Sequence, residues 1–166
     1  MWALVPPASA ELLGSSVTTI GDPHKHPNSN FWKLCSWSPD GTCLLGLQDD
    51  EQAQIFALPS EAAAATLNGS QDLPSPHNLH PSLSFHLGES VYDVQWYPAC
   101  NFMVPQTACF ADTGRGRPVV LWDATSGTSR CTYRTYDHAD EVTACRSICF
   151  HNDGARHATC CLIHTS

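Results

Sequence analysis

The feature that most constrains the fold of this chain is a short strand motif that occurs three times. In each copy, apolar positions lead to an aromatic residue and then to a turn; the copies span residues 31–41, 91–98 and 146–154. Residues 119–127 add a Trp-Asp pair, Trp122 and Asp123, followed by a second turn signal. An aromatic strand about every 50 to 60 residues, with a Trp-Asp pair in the middle unit, is typical of the blades of a β-propeller.

The spacing of the motif also sets how many blades this chain can supply. A blade needs about 40 to 45 residues, and a closed propeller needs at least four blades. We therefore predict an all-β fold, an incomplete WD-repeat β-propeller with about two blades and the start of a third. We expect residues 1–30 to be extended or disordered, 31–155 to form the partial propeller with an insertion at 59–82, and 156–166 to be a divergent tail.

Composition excludes some classes of function. Eight Lys and Arg residues against 16 Asp and Glu residues give a net charge of −8, so nucleic acid cannot be bound by overall charge and a local basic cluster would be needed. The nine cysteines are an odd number and lie singly in apolar strand patterns, which favours buried free thiols over disulfides. We find no secretory signal pattern and expect an intracellular protein.

The recurrent aromatic residues predict the core of the blades. We expect a structural role in that core for six residues: Trp37, Trp96, Trp122, Asp123, His138 and Phe150. The indole N–H of Trp122 is expected to donate to a strand hydroxyl and a His–Asp pair, for which His138 and Asp112 are suitably placed. No nucleophile motif or phosphate-binding loop accompanies these residues, so we predict no catalytic residue and no cofactor.

Cysteine and histidine residues near the carboxyl end suggest a zinc site, but the spacing argues against one. Cys145 and Cys149 match the separation of a zinc-binding pair on paper. Both lie along one predicted strand, where four residues span ~13 Å, too far for two ligands of one metal. We therefore predict no metal site.

The only concentrated basic point is a loop that contains Arg115 and Arg117, each next to a glycine. Such a loop can follow a phosphate backbone, and the guanidinium groups can stack on bases. The alternative is an ordinary solvated hairpin tip. Arg115 and Arg117 are therefore our candidate RNA-binding residues, with both interpretations open.

Several strings resemble the telomerase Cajal body protein family more closely than they match a general WD repeat. They lie at residues 31–45, 55–61, 92–97, 121–127 and 136–144. The most specific are Leu-Pro-x-Glu at 58–61 and Tyr-Asp-His-Ala-Asp-Glu-Val-Thr-Ala at 136–144. The resemblance covers about residues 31–154 and implies a WD-repeat propeller fold.

The resemblance also implies a function. It implies a non-enzymatic nuclear scaffold that binds the CAB box of small Cajal-body RNAs and of telomerase RNA and directs the particles to Cajal bodies. The implied partners are these RNAs and the proteins of the telomerase ribonucleoprotein, with no membrane, and the alternative location is the cytoplasm. The alternative function is a general protein–protein interaction propeller without an RNA role. Because stacked blades stabilise one another, we expect this chain alone to bind CAB-box RNA more weakly than a complete propeller.

Overall fold

The computed structural model describes residues 14–16, 30–58, 77–88, 90–136, 142–151 and 157–160. These residues form strands and turns, and no helix occurs among them. The strands are numbered in chain order. None of the described segments contains a helix with the length and hydropathy of a membrane span.

The first sheet has four antiparallel strands in the spatial order β2-β3-β4-β6. Their bounds are β2 (Trp32–Trp37), β3 (Cys43–Gln48), β4 (Gln52–Ala57) and β6 (Leu83–His86). The two central strands are buried along nearly their whole length, so apolar side chains lie on both faces of this sheet. Leu45 and Ile55 are paired on the face that packs on the second sheet, and Leu44 and Phe56 are paired on the opposite face.

The second sheet repeats the design, in the order β10-β9-β8-β7. Its strands are β7 (Val91–Trp96), β8 (Cys109–Gly114), β9 (Arg117–Asp123) and β10 (Ser129–Tyr133). The registers of the two sheets correspond: Trp37 is paired with Leu44 in the first sheet, as Trp96 is with Phe110 in the second. The two sheets are therefore equivalent blades.

Three pairs of short strands complete the described chain. β1 (Gly14–Ser16) pairs in parallel with β5 (His77–Leu79), which belongs to the predicted insertion. β11 (Thr135–Tyr136) pairs with β12 (Val142–Thr143). β13 (Ser147–Phe150) pairs antiparallel with β14 (His157–Cys160).

Strand β14 lies in the region that was predicted to be a divergent tail. The tail was expected to leave the blade pattern because its apolar residues do not alternate as in the other strands. His157–Cys160 nevertheless pairs with the whole of Ser147–Phe150. Backbone hydrogen bonds do not depend on side-chain identity, so a strand can pair here although its apolar residues do not alternate. The third blade therefore has its first two strands.

Two apolar clusters fill the spaces between neighbouring sheets. The larger lies between the first and second sheets, and its most buried members include Leu45, Ala53, Trp96, Ala108 and Phe110. The smaller lies between the second sheet and β13, and is built from Ala111, Val119, Cys145 and Ile148. Sheets stacked face to face around apolar clusters make the architecture an incomplete β-propeller, as predicted.

The prediction that Trp37 belongs to the blade core is wrong. Trp37 is 50% exposed, whereas Trp96, in the equivalent register position, is 2% exposed. Trp96 faces the first sheet, and its indole N–H donates to the Ser36 carbonyl at 3.2 Å. Trp37 lies on the face of the first sheet that points away from the second sheet. The described residues place no other sheet against that face. The sequence motif fixes the register of the tryptophan, but burial depends on the next sheet.

Candidate functional site

The predicted basic loop is a tight hairpin turn of two residues, Arg115 and Gly116, between β8 and β9. The expected loop was longer, but the ladder continues to the pair of Gly114 with Arg117. Gly116 has φ 65°, a conformation that glycine adopts without a Cβ clash. Arg115 is exposed, and its backbone N–H donates to the Ser90 carbonyl at 2.8 Å.

Arg117 does not share the exposed position of Arg115. Its guanidinium lies between the first two sheets and forms a two-bond ion pair with Asp112, including Nη1 to Oδ1 at 3.0 Å. The second bond joins Nη2 to Oδ2. The side chain of Arg117 is 15% exposed and that of Asp112 is fully buried. Both interpretations of this loop, RNA binding and a solvated hairpin tip, assumed an accessible Arg117, whereas its charge is paired with Asp112 inside the protein.

The carboxylate of Asp112 also accepts the indole N–H of Trp122, at 2.9 Å. Trp122 packs on Phe85 of the first sheet, with ring centroids 5.5 Å apart. Burial raises the pKa of Asp112, and the hydrogen bonds from Arg117 and Trp122 offset only part of that effect. The partner of Trp122 is thus a buried Asp–Arg pair. The predicted partner His138 lies outside the described residues.

Gly114 explains how Arg117 reaches Asp112. A Cβ atom at Gly114 would overlap the guanidinium of Arg117. With a two-residue turn, Arg117 is opposite Gly114 and on the same face as Asp112, two residues earlier. The sequence signal for this ion pair was therefore Asp-x-Gly, then a turn of two residues, then Arg. This spacing places the opposite charges of Asp112 and Arg117 on one face of the hairpin.

Acidic side chains connect each sheet to the next. Glu51, in the turn between β3 and β4, accepts the backbone N–H of Val91 at 3.0 Å and the ammonium group of Lys33 at 2.9 Å. Asp93 accepts the backbone N–H of Ile148 at 2.9 Å and the hydroxyl of Ser147 at 3.1 Å. The bonds from Val91, Ser147 and Ile148 hold the first strand of each following blade against the preceding blade.

Asp123 organises the turn that follows β9. Its Oδ1 accepts the backbone N–H groups of Thr125 and Ser126 at 2.8 and 3.0 Å, and its Oδ2 accepts Arg130 Nη2 at 2.8 Å. Burial alone would raise the pKa of Asp123, but the hydrogen bonds from Thr125, Arg130 and Ser126 outweigh it and lower the pKa to about 2. Asp123 is therefore a structural residue, although it stabilises a turn and is not part of the apolar core.

The remaining aromatic residue predicted in the core is Phe150, in β13. It is half-buried and packs edge-to-face on Tyr97, with ring centroids 5.8 Å apart. It also contacts the smaller apolar cluster. Phe150 thus lies between the second and third blades, while Trp96 lies between the first and second.

Sequence reasoning missed an exposed aromatic–arginine pair next to the hairpin turn. The guanidinium carbon of Arg146 lies 4.8 Å from the ring centroid of Tyr92, within the range of a cation–π contact. Arg146 is exposed and Tyr92 is 37% exposed. Arg115 is close by, because its backbone contacts Ser90, two residues before Tyr92. Tyr92 and Arg146 lie in two different copies of the repeated strand motif, and the contact between them emerges only from the stacking of β7 and β13.

Six cysteines of the described segments are free thiols: Cys35, Cys43, Cys100, Cys109, Cys131 and Cys149. Burial raises the pKa of Cys100 to about 12, so this thiol is protonated at neutral pH and unsuited to metal binding or nucleophilic attack. Within the same segments, no three His, Cys, Asp or Glu side chains converge as metal ligands would. Cys145 is buried in the smaller cluster while Cys149, on β13, is exposed.

Comparison with known proteins gives a consistent set of relatives, although no family model matches the chain. Telomerase Cajal body protein 1 of Mesocricetus auratus is 36% identical over 129 residues, 78% of this chain and 23% of the relative. The Homo sapiens protein of the same name is 35% identical over 127 residues, 76% of this chain and 22% of its own length. The Drosophila melanogaster homolog is 37% identical over 125 residues, 75% of this chain and 23% of its own length.

A relative with another name matches a similar share of the chain. Guanine nucleotide-binding protein negative regulator 1 of Schizosaccharomyces pombe is 29% identical over 125 residues, 75% of this chain and 30% of the relative. None of these names is that of an enzyme. The chain spans about a quarter of the length of the Cajal body relatives it matches. With its propeller blades and this identity over three quarters of its residues, the chain is a partial homologue of the telomerase Cajal body protein family.

Proposed function

We propose that this chain belongs to a non-enzymatic WD-repeat scaffold that binds small Cajal-body RNAs and telomerase RNA and directs the particles to Cajal bodies in the nucleus. The observation that carries the proposal is 36% identity over 129 residues to Telomerase Cajal body protein 1. The proteins of the telomerase ribonucleoprotein are the proposed protein partners.

The described geometry supports a scaffold over an enzyme. The buried titratable groups of the second sheet form a structural pair, Asp112 with Arg117. Asp123 is held by Arg130 and by backbone N–H groups of its own turn. These four charged groups therefore fix the second blade, and the rims of the sheets are left as surfaces for a partner.

Fewer arginines are candidates for direct RNA contact than the sequence suggested. Arg115 is exposed at the tip of its turn and remains a candidate. Arg117 contributes only indirectly, because it holds Asp112 and the turn in place. The acidic net charge of −8 means that binding must depend on such local contacts and on base recognition more than on overall attraction.

A second candidate function is a protein–protein interaction propeller without an RNA role. The match to a protein named as a negative regulator of a guanine nucleotide-binding protein favours this alternative. The two candidates differ in one direct measurement, which is RNA crosslinking.

The experiment is ultraviolet crosslinking of the tagged chain in cells, followed by sequencing of the RNA that copurifies. We expect enrichment of RNAs with a CAB box, and loss of that enrichment for a reporter RNA with a mutated CAB box. Recovery of proteins without CAB-box RNA would favour the second candidate. Microscopy of the same tagged chain tests the location in Cajal bodies.

A further inference from the structure

We propose that Tyr92, Arg146 and Arg115 form a binding site for a single-stranded RNA nucleotide, in which a base stacks on the Tyr92–Arg146 pair and Arg115 contacts a neighbouring phosphate. This inference rests on the RNA-binding role proposed above and assigns a place for it. Tyr92 and Arg146 are in contact across two blades, and the turn that carries Arg115 lies beside the start of β7, at the same end of the second sheet.

The position of the site follows from the register of the second sheet. Val91 is paired with Gly114, so the start of β7 lies beside the end of β8 and the turn that carries Arg115. Asp93 binds the backbone of Ile148 at 2.9 Å, which brings the start of β13 and the preceding Arg146 against β7. The Arg146 guanidinium then lies 4.8 Å from the centroid of the Tyr92 ring.

The chemistry of these groups suits a nucleobase. Exposed bases of single-stranded RNA stack on aromatic rings and on the planes of arginine guanidinium groups. Tyr92 remains 37% exposed although Arg146 lies over its ring. A base can therefore extend the stack, and the planar Arg115 fork can bind phosphate oxygens with two hydrogen bonds.

The distribution of charge supports an anionic ligand at this point. Among the basic residues of the described segments, Lys33, Arg117 and Arg130 form ion pairs with carboxylates. Arg115, Arg134 and Arg146 have no carboxylate within salt-bridge distance in those segments, and of these Arg146 lies over Tyr92 while the backbone of Arg115 contacts Ser90. Their positive charges are thus available to a phosphate. The corresponding turn of the first sheet carries Asp49, Asp50 and Glu51 and would repel one.

The surroundings fit a nucleotide better than a peptide. A peptide-binding surface normally has several apolar or aromatic side chains in contact with the partner. In the described parts of the second and third sheets, the other exposed large apolar side chains are Met103, Val104 and Tyr136. Met103 and Val104 lie at the opposite end of the sheet, and Tyr136 follows its outermost strand. One exposed aromatic ring, with Arg146 over it and the turn of Arg115 beside it, is a surface of the size of a single base.

The test uses the 166-residue chain and a 12-nucleotide single-stranded RNA that contains a CAB box and 4-thiouridine. We expect photocrosslinks at or beside Tyr92, located by mass spectrometry. We expect Tyr92→Leu to weaken binding, measured by fluorescence anisotropy, by about 5- to 100-fold, as the loss of one base–aromatic stack does. Tyr92→Phe keeps the ring and should stay within about twofold of the wild type.

Two further variants separate the effect of positive charge from the effect of the planar guanidinium group. Arg146→Lys keeps the charge but loses the planar guanidinium, so it should weaken binding by about fivefold or more. Arg134→Ala removes one positive charge from an exposed residue beyond β10, and should change binding by less than about twofold because salt screens distant charges. The melting temperature of each variant must match that of the wild type within the error of the measurement. If Tyr92→Leu does not fold, the comparison of Tyr92→Phe with Arg146→Lys takes its place.

The outcomes separate this site from the general proposal. Wild-type binding with crosslinks elsewhere, or equal losses for Tyr92→Leu and Arg134→Ala, would overturn the site and leave the RNA role standing. The absence of any RNA binding by the wild-type chain would overturn both. Binding of an acidic peptide that depends on Arg115 and Arg146, without RNA binding, would assign the surface to a protein partner instead.

Discussion

At the scale of single residues, Asp112 is the most constrained group of the described chain. It is fully buried between two sheets, and it depends on Arg117 and Trp122 for all the hydrogen bonds described above. A buried carboxylate without partners is costly, because the interior cannot solvate its charge. This small network therefore joins β8 to β9 inside the second sheet and fixes the Trp122 ring that packs on Phe85 of the first sheet.

We expect Arg117→Ala to lower the free energy of unfolding by about 3–5 kcal/mol, as the loss of one partner of a buried ion pair does. Arg115→Ala is the matched control, because this exposed arginine is two residues away and should change stability by less than about 0.5 kcal/mol. Urea titration of both variants checks this. Equal, small effects of the two substitutions would contradict the buried pair.

We expect Trp122→Ala to cost about 3–5 kcal/mol, because it removes a large aromatic ring from the space between the sheets. Trp122→Phe keeps most of the ring but removes the N–H donor to Asp112, and should cost about 1–3 kcal/mol. Trp37→Ala, at a half-exposed tryptophan, should cost less than either. A denaturant titration that ranks Trp37→Ala with Trp122→Ala would show that Trp122 is not an inter-sheet residue.

The lowered pKa of Asp123 predicts that the stability of the fold depends on pH in the acid range. Its folded-state pKa of about 2 lies below the ordinary value of 3.8, so the unfolded chain binds the proton first as the pH falls. The stabilisation by Asp123 is complete above about pH 4 and is lost as the pH falls through about 2. We expect Asp123→Asn to be less stable at neutral pH and to show a shallower loss of stability in this range. Thermal unfolding at several pH values checks it; parallel curves for variant and wild type would refute it.

At the scale of strands, the sequence predicted the elements better than their contacts. The aromatic motifs and turn residues located the strands of the first two blades, because period-two alternation and glycine-containing turns are local signals. The prediction of a basic loop missed that Arg117 faces inward, because that orientation depends on a turn of only two residues and on the space left by Gly114. The sequence also could not show that Trp37 is exposed, because burial requires a neighbouring sheet.

The contact between Asp93 and β13 predicts local unfolding. Asp93 accepts two hydrogen bonds from Ser147 and Ile148, so Asp93→Ala should loosen the third blade and leave the first two intact. Amide hydrogen exchange should become faster in β13 and remain unchanged in β4. Gln95→Ala, at an exposed position on the same strand, is the control. Protection of β13 that is equal in both variants would argue against the bridge.

At the scale of the whole molecule, the first two sheets share one apolar cluster and should unfold together. Leu45 of the first sheet and Phe110 of the second are both members of it. We expect Leu45→Ala to lower the protection of β3 and β8 against hydrogen exchange by the same free energy, about 2–5 kcal/mol. Ile148→Ala, in the smaller cluster, should mainly affect β13. A loss confined to β3 would show that the sheets unfold independently.

The equivalent positions of Trp37 and Trp96 give the arrangement of sheets a direction. One face of each sheet carries the tryptophan, and the opposite face of the preceding sheet receives it, as the Ser36 carbonyl receives Trp96. The stack of sheets therefore has a direction. Each sheet has one side that carries the tryptophan and one side that receives it, so sheets join only head to tail. Any sheet that bears both sides can be added or duplicated without redesign of its neighbours, so a gene can change the number of blades while each interface stays the same.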